Sequence, residues 1–205
     1  MDGSIFNRTE LLVGSEAMAR LAATRVILFG VGGVGSWVAE GLVRSGVGHL
    51  TMVDADIVGP TNINRQLMAT TLTVGQPKVE ALREHLLQVN PQAAVEIRRE
   101  VYCRDTAPGF ALGKYDYVVD AIDSLTDKLE LILNATDRSL ESDGAGPVLL
   151  SSMGAALKMD STDIRVSEFW EVDGCPLAAA LRRRMRRALP FTSRRRRERF
   201  VFPSA

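Results

Sequence analysis

The chain has 205 residues and a mass of 22.4 kDa, with 46% hydrophobic and 24% charged side chains, and its 25 basic residues balance its 25 acidic ones. A chain of that size buries roughly 70% of its unfolded surface, enough for one globular domain, or a domain plus an appendage, without disulfide or metal staples; disordered and fibrous architectures are excluded for most of it. Cys103 and Cys175, far apart and in no CxxC pair, supply neither a disulfide framework nor a four-thiolate zinc site, which fits a reducing, cytoplasmic compartment.

Residues 1–7 carry Asp2 and no basic segment ahead of an apolar run, so no signal peptide is expected. Residues 9–22 read as one amphipathic helix with Leu11, Leu12, Met18 and Leu21 as its apolar positions. Val26-Ile27-Leu28-Phe29 is a β-branched and aromatic run that stops at Gly30, and residues 36–44 then show apolar positions at helical spacing, which spells strand, glycine loop, helix. The most apolar stretch, residues 25–53, is broken by Glu40, Arg44 and several glycines, well short of the roughly 18 apolar residues of a membrane span. Gly46 and Gly48 close that helix, and Leu50-Thr51-Met52-Val53 makes a second strand ending in Asp54 and Asp56. Residues 77–89 form a helix with Val79, Leu82, Leu86 and Val89 on one face, stopped by Asn90-Pro91. Further strands are expected at 95–101, 117–120, 148–152 and 164–169, and a further helix at 124–140. This alternation implies a parallel sheet covered on both faces. From Leu181 onward the chain is nearly all arginine and small apolar residues, and no internal repeat is visible.

Gly30-Val31-Gly32-Gly33-Val34-Gly35 matches the GxGxxG pattern in the context that gives it meaning, between a strand and a helix. Its glycines allow a tight turn, close approach of backbone to phosphate and close helix-to-strand packing. The helix N-terminus beyond it offers unpaired N–H groups and about half a positive charge. Asp54 ends the next strand, where an acidic residue takes ribose hydroxyls. The motif alone does not distinguish NAD from ATP, since both carry an adenosine ribose and phosphates. The neighbouring charges favour a triphosphate: residues 61–66, with Asn62, Arg65 and Gln66, and Lys78 at the start of the next helix, converge on the same sheet edge. Asp123, in Asp120-Ala121-Ile122-Asp123-Ser124, ends a later strand there and offers one carboxylate to Mg²⁺.

Together with residues 8–14, 151–156 and 175–180, these motifs resemble the HesA/MoeB/ThiF group of E1-like adenylating enzymes, and within it the tRNA threonylcarbamoyladenosine dehydratase branch. The resemblance runs from about Arg8 to Arg187. It implies an α/β, Rossmann-like doubly wound fold with a mainly parallel sheet. One E1-like domain would comprise an N-terminal arm and helix (1–22), an ATP-binding core (23–143) and a segment of substrate-side strands with an arginine-rich end (144–205). The implied reaction is ATP-dependent: the carboxylate of N6-threonylcarbamoyladenosine in tRNA attacks the α-phosphate, pyrophosphate leaves, and cyclisation expels AMP with net loss of water. Carried over by position, Gly30, Gly32, Gly33, Gly35, Asp54, Asp56, Asn62, Arg65, Gln66 and Lys78 bind the nucleotide. Arg65, Lys78, Asp123 and Arg8 serve catalysis, Asp123 holds Mg²⁺, and Arg8 reaches across a homodimer into the partner's site.

Three other readings stay open on the sequence. One is adenylation of the C-terminal carboxylate of a ubiquitin-like sulfur carrier, with a sulfur-relay protein as partner and Cys175 as an acceptor; many such relatives carry zinc-binding CxxC pairs, absent here. Another is an NAD dehydrogenase, for which His49 and His85 offer no evident hydride-transfer partner. The third is a catalytically reduced nucleotide- or tRNA-binding scaffold, since members of this group usually continue past the point matching Val201 and Phe202. The zero net charge is uneven. Residues 181–205 hold ten arginines against one acid, Glu198, which leaves residues 1–180 with fifteen bases against twenty-four acids. Arg182, Arg183, Arg186, Arg187, Arg194 and Arg195 are accordingly candidate RNA contacts. No membrane partner is expected.

Overall fold

The computed structural model describes residues 5–141, 146–155 and 159–188. Five strands form one parallel sheet: β1 (Arg25–Phe29), β2 (His49–Val53), β3 (Ala94–Arg98), β4 (Tyr117–Asp120) and β5 (Val148–Ser151), in the order β3-β2-β1-β4-β5. The register pairs Phe29 with Val53 on one side of β1 and with Asp120 on the other, so these three strands end together at one edge. After β1 the chain moves toward β2 and β3, whereas β4 and β5 lie on the opposite side. This reversal of winding opens a crevice beyond the C-terminal ends of β1 and β4, where ligands bind in such sheets.

Two apolar layers hold the sheet. Val26 and Leu28 of β1 face one way, into a core shared with α3 (Gly35–Ser45) and α4 (Lys78–Val89) through Ala39, Val43, Val79, Leu82 and Leu86. Ile27 and Phe29 face the other way, toward α5 (Leu125–Glu141) and α6 (Pro176–Ala188), with Leu131, Ile132, Leu181 and Met185. The period-2 alternation of β1 thus serves two cores, as expected of a strand covered on both faces. Phe29 meets Tyr102 and Phe110 edge to face, and this aromatic cluster seals the second core near the crevice.

Three expectations require correction. The N-terminal helix is two: α1 (Asn7–Val13) and α2 (Ser15–Ala23), separated at Gly14, whose φ of 84° and ψ of 160° interrupt the helix. Residues 164–169 belong to no strand among the described residues. Ile164 and Val166 are exposed, at 80% and 81%, and only Phe169 packs inward. Alternating β-branched residues supply propensity, but a strand forms where an edge accepts its hydrogen bonds. The third strand stops at Arg98, leaving Cys103 in a turn. The arginine-rich segment, by contrast, begins as a regular helix. In α6, Ala178, Leu181 and Met185 recur at helical spacing and are buried, with Arg183, Arg186 and Arg187 exposed on the other face. Among the described residues no helix is long and apolar enough to cross a membrane.

Candidate active site

A cleft of about 880 Å³ lies at the crevice beyond β1 and β4. Its lining includes Gly30, Gly32, Gly33, Asp54, Asp56, Asn62, Arg65, Gln66, Lys78 and Asp123, so residues spread over more than 90 positions of sequence meet in one place.

The glycine loop forms one wall. Gly30 has φ +83°, and a Cβ there would stand 2.7 Å from the Ala121 carbonyl oxygen, so only glycine lets β1 turn this closely past the β4 end. Gly35 does not line the cleft; its role is packing, because a Cβ there would lie 1.8 Å from the Gly30 carbonyl oxygen. Asp54 ties the loop to β2: one carboxylate oxygen accepts the Val31 N–H at 2.9 Å, the other the Asp56 N–H at 2.8 Å. Each oxygen retains a second lone pair for an incoming hydroxyl.

The segment after β2 folds back on itself. Val58 N–H donates to the Gln76 carbonyl, Gly75 N–H to that of Val58, and Lys78 N–H to that of Asp56. That return brings Lys78 beside Asp56, with Nζ 2.7 Å from Oδ2; the lysine side chain is 9% exposed and the aspartate 69%. Asn62 Oδ1 accepts the Gly59 N–H at 2.9 Å and fixes the turn that carries Arg65. The Arg65 stem lies along Gly33, its guanidinium donates to the Thr61 carbonyl and Asn64, and the Arg65 backbone carbonyl accepts the exposed Trp37 indole N–H at 3.0 Å. Gln66 is buried, yet its Oε1 has no hydrogen-bond partner among the described residues. A buried acceptor of this kind asks for a donor from the cleft.

The opposite wall belongs to β4 and β5. Asp123 is exposed, and Asp127, one helical turn on, also lines the cleft. No group of three metal-ligating side chains exists among the described residues. This donor set fits a Mg²⁺ held by one or two carboxylates together with substrate phosphates and water, and it does not fit a closed protein cage. Residues 152–155 and Leu177 complete this wall, and Phe29, Val53, Val101, Tyr102 and Ile122 supply apolar lining.

Sequence reasoning missed what lies beneath. Lys128 and Asp120 are both fully buried, 2.9 Å apart, and Ser151 Oγ donates to the same Asp120 oxygen at 2.6 Å. Burial pushes the Asp120 carboxyl above its usual range, opposed first by the charge of Lys128 and then by the Ser151 hydrogen bond. The signal was present: Lys128 falls within the apolar stripe of α5 with Leu125, Leu129, Leu131 and Ile132, where a lysine needs a partner. Cys175 is also buried, and its Sγ accepts the N–H groups of Gly154 at 3.3 Å and Ala178 at 3.4 Å, fastening residues 152–155 to α6.

Arg8 stands apart. It is exposed on α1, in an arm anchored where Phe6 and Met18 meet Gly46, at the end of α3 remote from the cleft. Among the α6 arginines, Arg182 turns back to the Phe169 carbonyl at 3.0 Å and Arg186 lies over the Trp170 ring at 5.6 Å. Arg194 and Arg195 lie outside the described residues.

Residues 6–142 match the model of the ThiF family. The chain is 38% identical over 182 residues to the tRNA threonylcarbamoyladenosine dehydratase of Bacillus subtilis, covering 89% of this chain and 69% of that one. It is 31% identical over 180 residues to the molybdopterin-synthase adenylyltransferase of Escherichia coli, covering 87% and 67%. The crystal structure of Escherichia coli tRNA N6-threonylcarbamoyladenosine dehydratase, TcdA, in complex with ATP superimposes with a TM-score of 0.82 at 36% identity, over 88% of this chain and 72% of that one. The chain thus spans roughly two thirds of the length of these relatives. A nucleotide cleft of this build on a five-stranded parallel sheet, matched in sequence across most of its length, places the chain in the ThiF family of E1-like adenylating enzymes, in the group of the tRNA threonylcarbamoyladenosine dehydratases.

Proposed function

We propose that the protein catalyses ATP-dependent cyclising dehydration of N6-threonylcarbamoyladenosine in tRNA, by adenylating its carboxylate and releasing AMP and pyrophosphate. The observation that carries this reading is the pairing of walls in one cleft. The glycine loop, Arg65 and Lys78 supply positive potential on one side, and residues 152–155 leave room for a substrate carboxylate on the other.

Each group has work that its surroundings fit. Backbone N–H groups of the glycine loop and the α3 N-terminus hold phosphate oxygens. Asp54, already oriented by Val31 and Asp56, accepts ribose hydroxyls, and the apolar lining takes the base. The fixed turn at Asn62 aims Arg65, while Gln66 supplies its unpaired acceptor. Lys78 leaves Asp56 for the phosphate on which charge builds as the carboxylate oxygen attacks; Asp56, largely in water, loses little by the exchange. The chemistry of the reacting centre is then positioning and electrostatic stabilisation. Mg²⁺, when bound, neutralises phosphate charge, and Asp123 orients it. Arg8, remote from its own cleft, acts in the partner's site of a homodimer, and the exposed arginines of α6 contact tRNA phosphates. The chain works as one domain in three parts, the arm (1–22), the core (23–143) and the substrate side (144–205).

The test is AMP formation from ATP and Mg²⁺ with tRNA bearing threonylcarbamoyladenosine, with the same tRNA lacking the modification, and with a carrier protein ending in Gly-Gly. AMP that requires the modified tRNA is expected. AMP formed only with the carrier protein would replace this reading with carrier activation.

A further inference from the structure

The cleft rests on a charge pair that no nucleotide contact uses. Asp120 ends β4 and Lys128 lies one turn into α5, and neither lines the cleft. A buried ion pair is a weak source of stability, because desolvation offsets attraction unless every remaining donor and acceptor is met. Here the two members grip a single residue from both sides. Asp120 Oδ1 accepts the Ile122 N–H at 3.1 Å, and Lys128 Nζ donates to the Ile122 carbonyl at 3.0 Å. Ile122 immediately precedes Asp123. The same aspartate also ties in the neighbouring strand β5: Ser151 Oγ donates to Oδ2, and the Asp120 carbonyl accepts the Ser152 N–H at 2.8 Å. Two apolar side chains would fill this space at lower cost, but would leave both polar groups of Ile122 unpaired.

We propose that the Lys128–Asp120 pair is a positioning device that clamps Ile122, so fixing the direction in which Asp123 presents its carboxylate, and that it locks residues 151–152 in register with that carboxylate. Both are positioning residues, acting through Asp123 and the β5 end. The proposal rests on the reading of Asp123 as the Mg²⁺-side carboxylate, and the experiment separates the two.

ATP affinity is measured calorimetrically with Mg²⁺ and with EDTA for the full chain and for Asp123→Asn, Lys128→Met and the double variant Asp120→Asn/Lys128→Met; melting temperature is recorded for each. The single Lys128 variant leaves a buried carboxylate unpaired and is expected to be unstable. In the double variant no buried charge remains; the asparagine oxygen keeps an acceptor for the Ile122 N–H, its amide donates to Ser151 Oγ in a reversed hydrogen bond, and the Ile122 carbonyl loses its donor. The double variant is expected to fold, to bind ATP in EDTA as the parent does, and to lose about tenfold or more of the Mg²⁺-dependent gain, as outer-shell groups of metal sites commonly do when removed. A role confined to stability predicts the opposite, and a folded double variant with the parent's Mg²⁺ gain overturns the proposal. An Asp123→Asn variant that keeps the full gain would overturn the reading of Asp123, and this inference with it, whatever Lys128 does.

Discussion

Replacing Lys78 with methionine separates catalysis from folding, and the structure sets both magnitudes. The lysine side chain is 9% exposed, so its methylene stem is packed; truncation to alanine would forfeit roughly 0.8 kcal/mol per buried methylene. Methionine keeps most of that contact and removes the ammonium group. The lost partner, Asp56, is 69% exposed and recovers hydration, so the pair accounts for about 0–1 kcal/mol of stability. At about 2–4 °C per kcal/mol for a chain of this size, Lys78→Met should melt within about 4 °C of the parent. Turnover should fall roughly 10²- to 10³-fold, about 3–4 kcal/mol, the usual cost of one preorganised donor at a developing charge. Pyrophosphate release with ATP, Mg²⁺ and modified tRNA, measured beside a thermal melt, reads both. Near-normal pyrophosphate release would refute the assignment, and a collapse in melting temperature would show that Lys78 is chiefly structural.

Gly35→Ala places a methyl group 1.8 Å from the Gly30 carbonyl oxygen, about 1.5 Å inside an ordinary carbon–oxygen contact, so backbone must move. The cost should reach at least the ~3 kcal/mol upper end of overpacking, with ATP binding lost as well; a stable variant that binds ATP normally would contradict the packing described. The Arg25 hydrogen bonds and charge hold the Asp116 carboxyl below its usual range. Because the folded value is the lower one, this contribution is fully present above the unfolded value of about 4 and is lost as pH falls from there through the folded value. Asp116→Asn should therefore be less stable than the parent at neutral pH, with the gap closing on acidification; a gap that widens would reverse the sign. Finally, Arg183, Arg186 and Arg187 are exposed on α6, as is Arg184, which donates to Thr126. Joint replacement of Arg183, Arg186 and Arg187 by glutamine should reduce the salt dependence of tRNA binding by a slope of roughly 2, at about 0.7 per single-strand phosphate contact; an unchanged slope would remove these three from the interface.

Much of this site was legible in the sequence because its parts are backbone devices with strict requirements. Gly30 must adopt a positive φ beside Ala121, and Gly35 admits no side chain, so the loop declares itself as a spacing of glycines. Asp54 and Asp123 sit where strands end, and a parallel sheet brings strand ends to one edge. The partner of Lys78 was harder to foresee, because the return of the chain from Asp56 depends on hydrogen bonds among Val58, Gly75 and Gln76. Lys128 does not stand out by its charge, since helices carry many lysines, and only its place in the apolar stripe of α5 marks it as buried. The segment carrying Ile164 and Val166 misled in the other direction, since alternation records a preference and a strand needs an edge. Arg8 is exposed and remote from its own chain's cleft, so nothing in this cleft reads out the role that the resemblance implies for it.

The central claim is chemical and a mass measurement tests it most directly. The full chain is incubated with ATP, Mg²⁺ and tRNA bearing threonylcarbamoyladenosine, and the tRNA is digested to nucleosides. Loss of one water from the modified adenosine, matched by AMP and pyrophosphate, is the predicted result. A modified nucleoside of unchanged mass from protein that still binds ATP would contradict the dehydratase reading and leave a nucleotide-binding scaffold in its place.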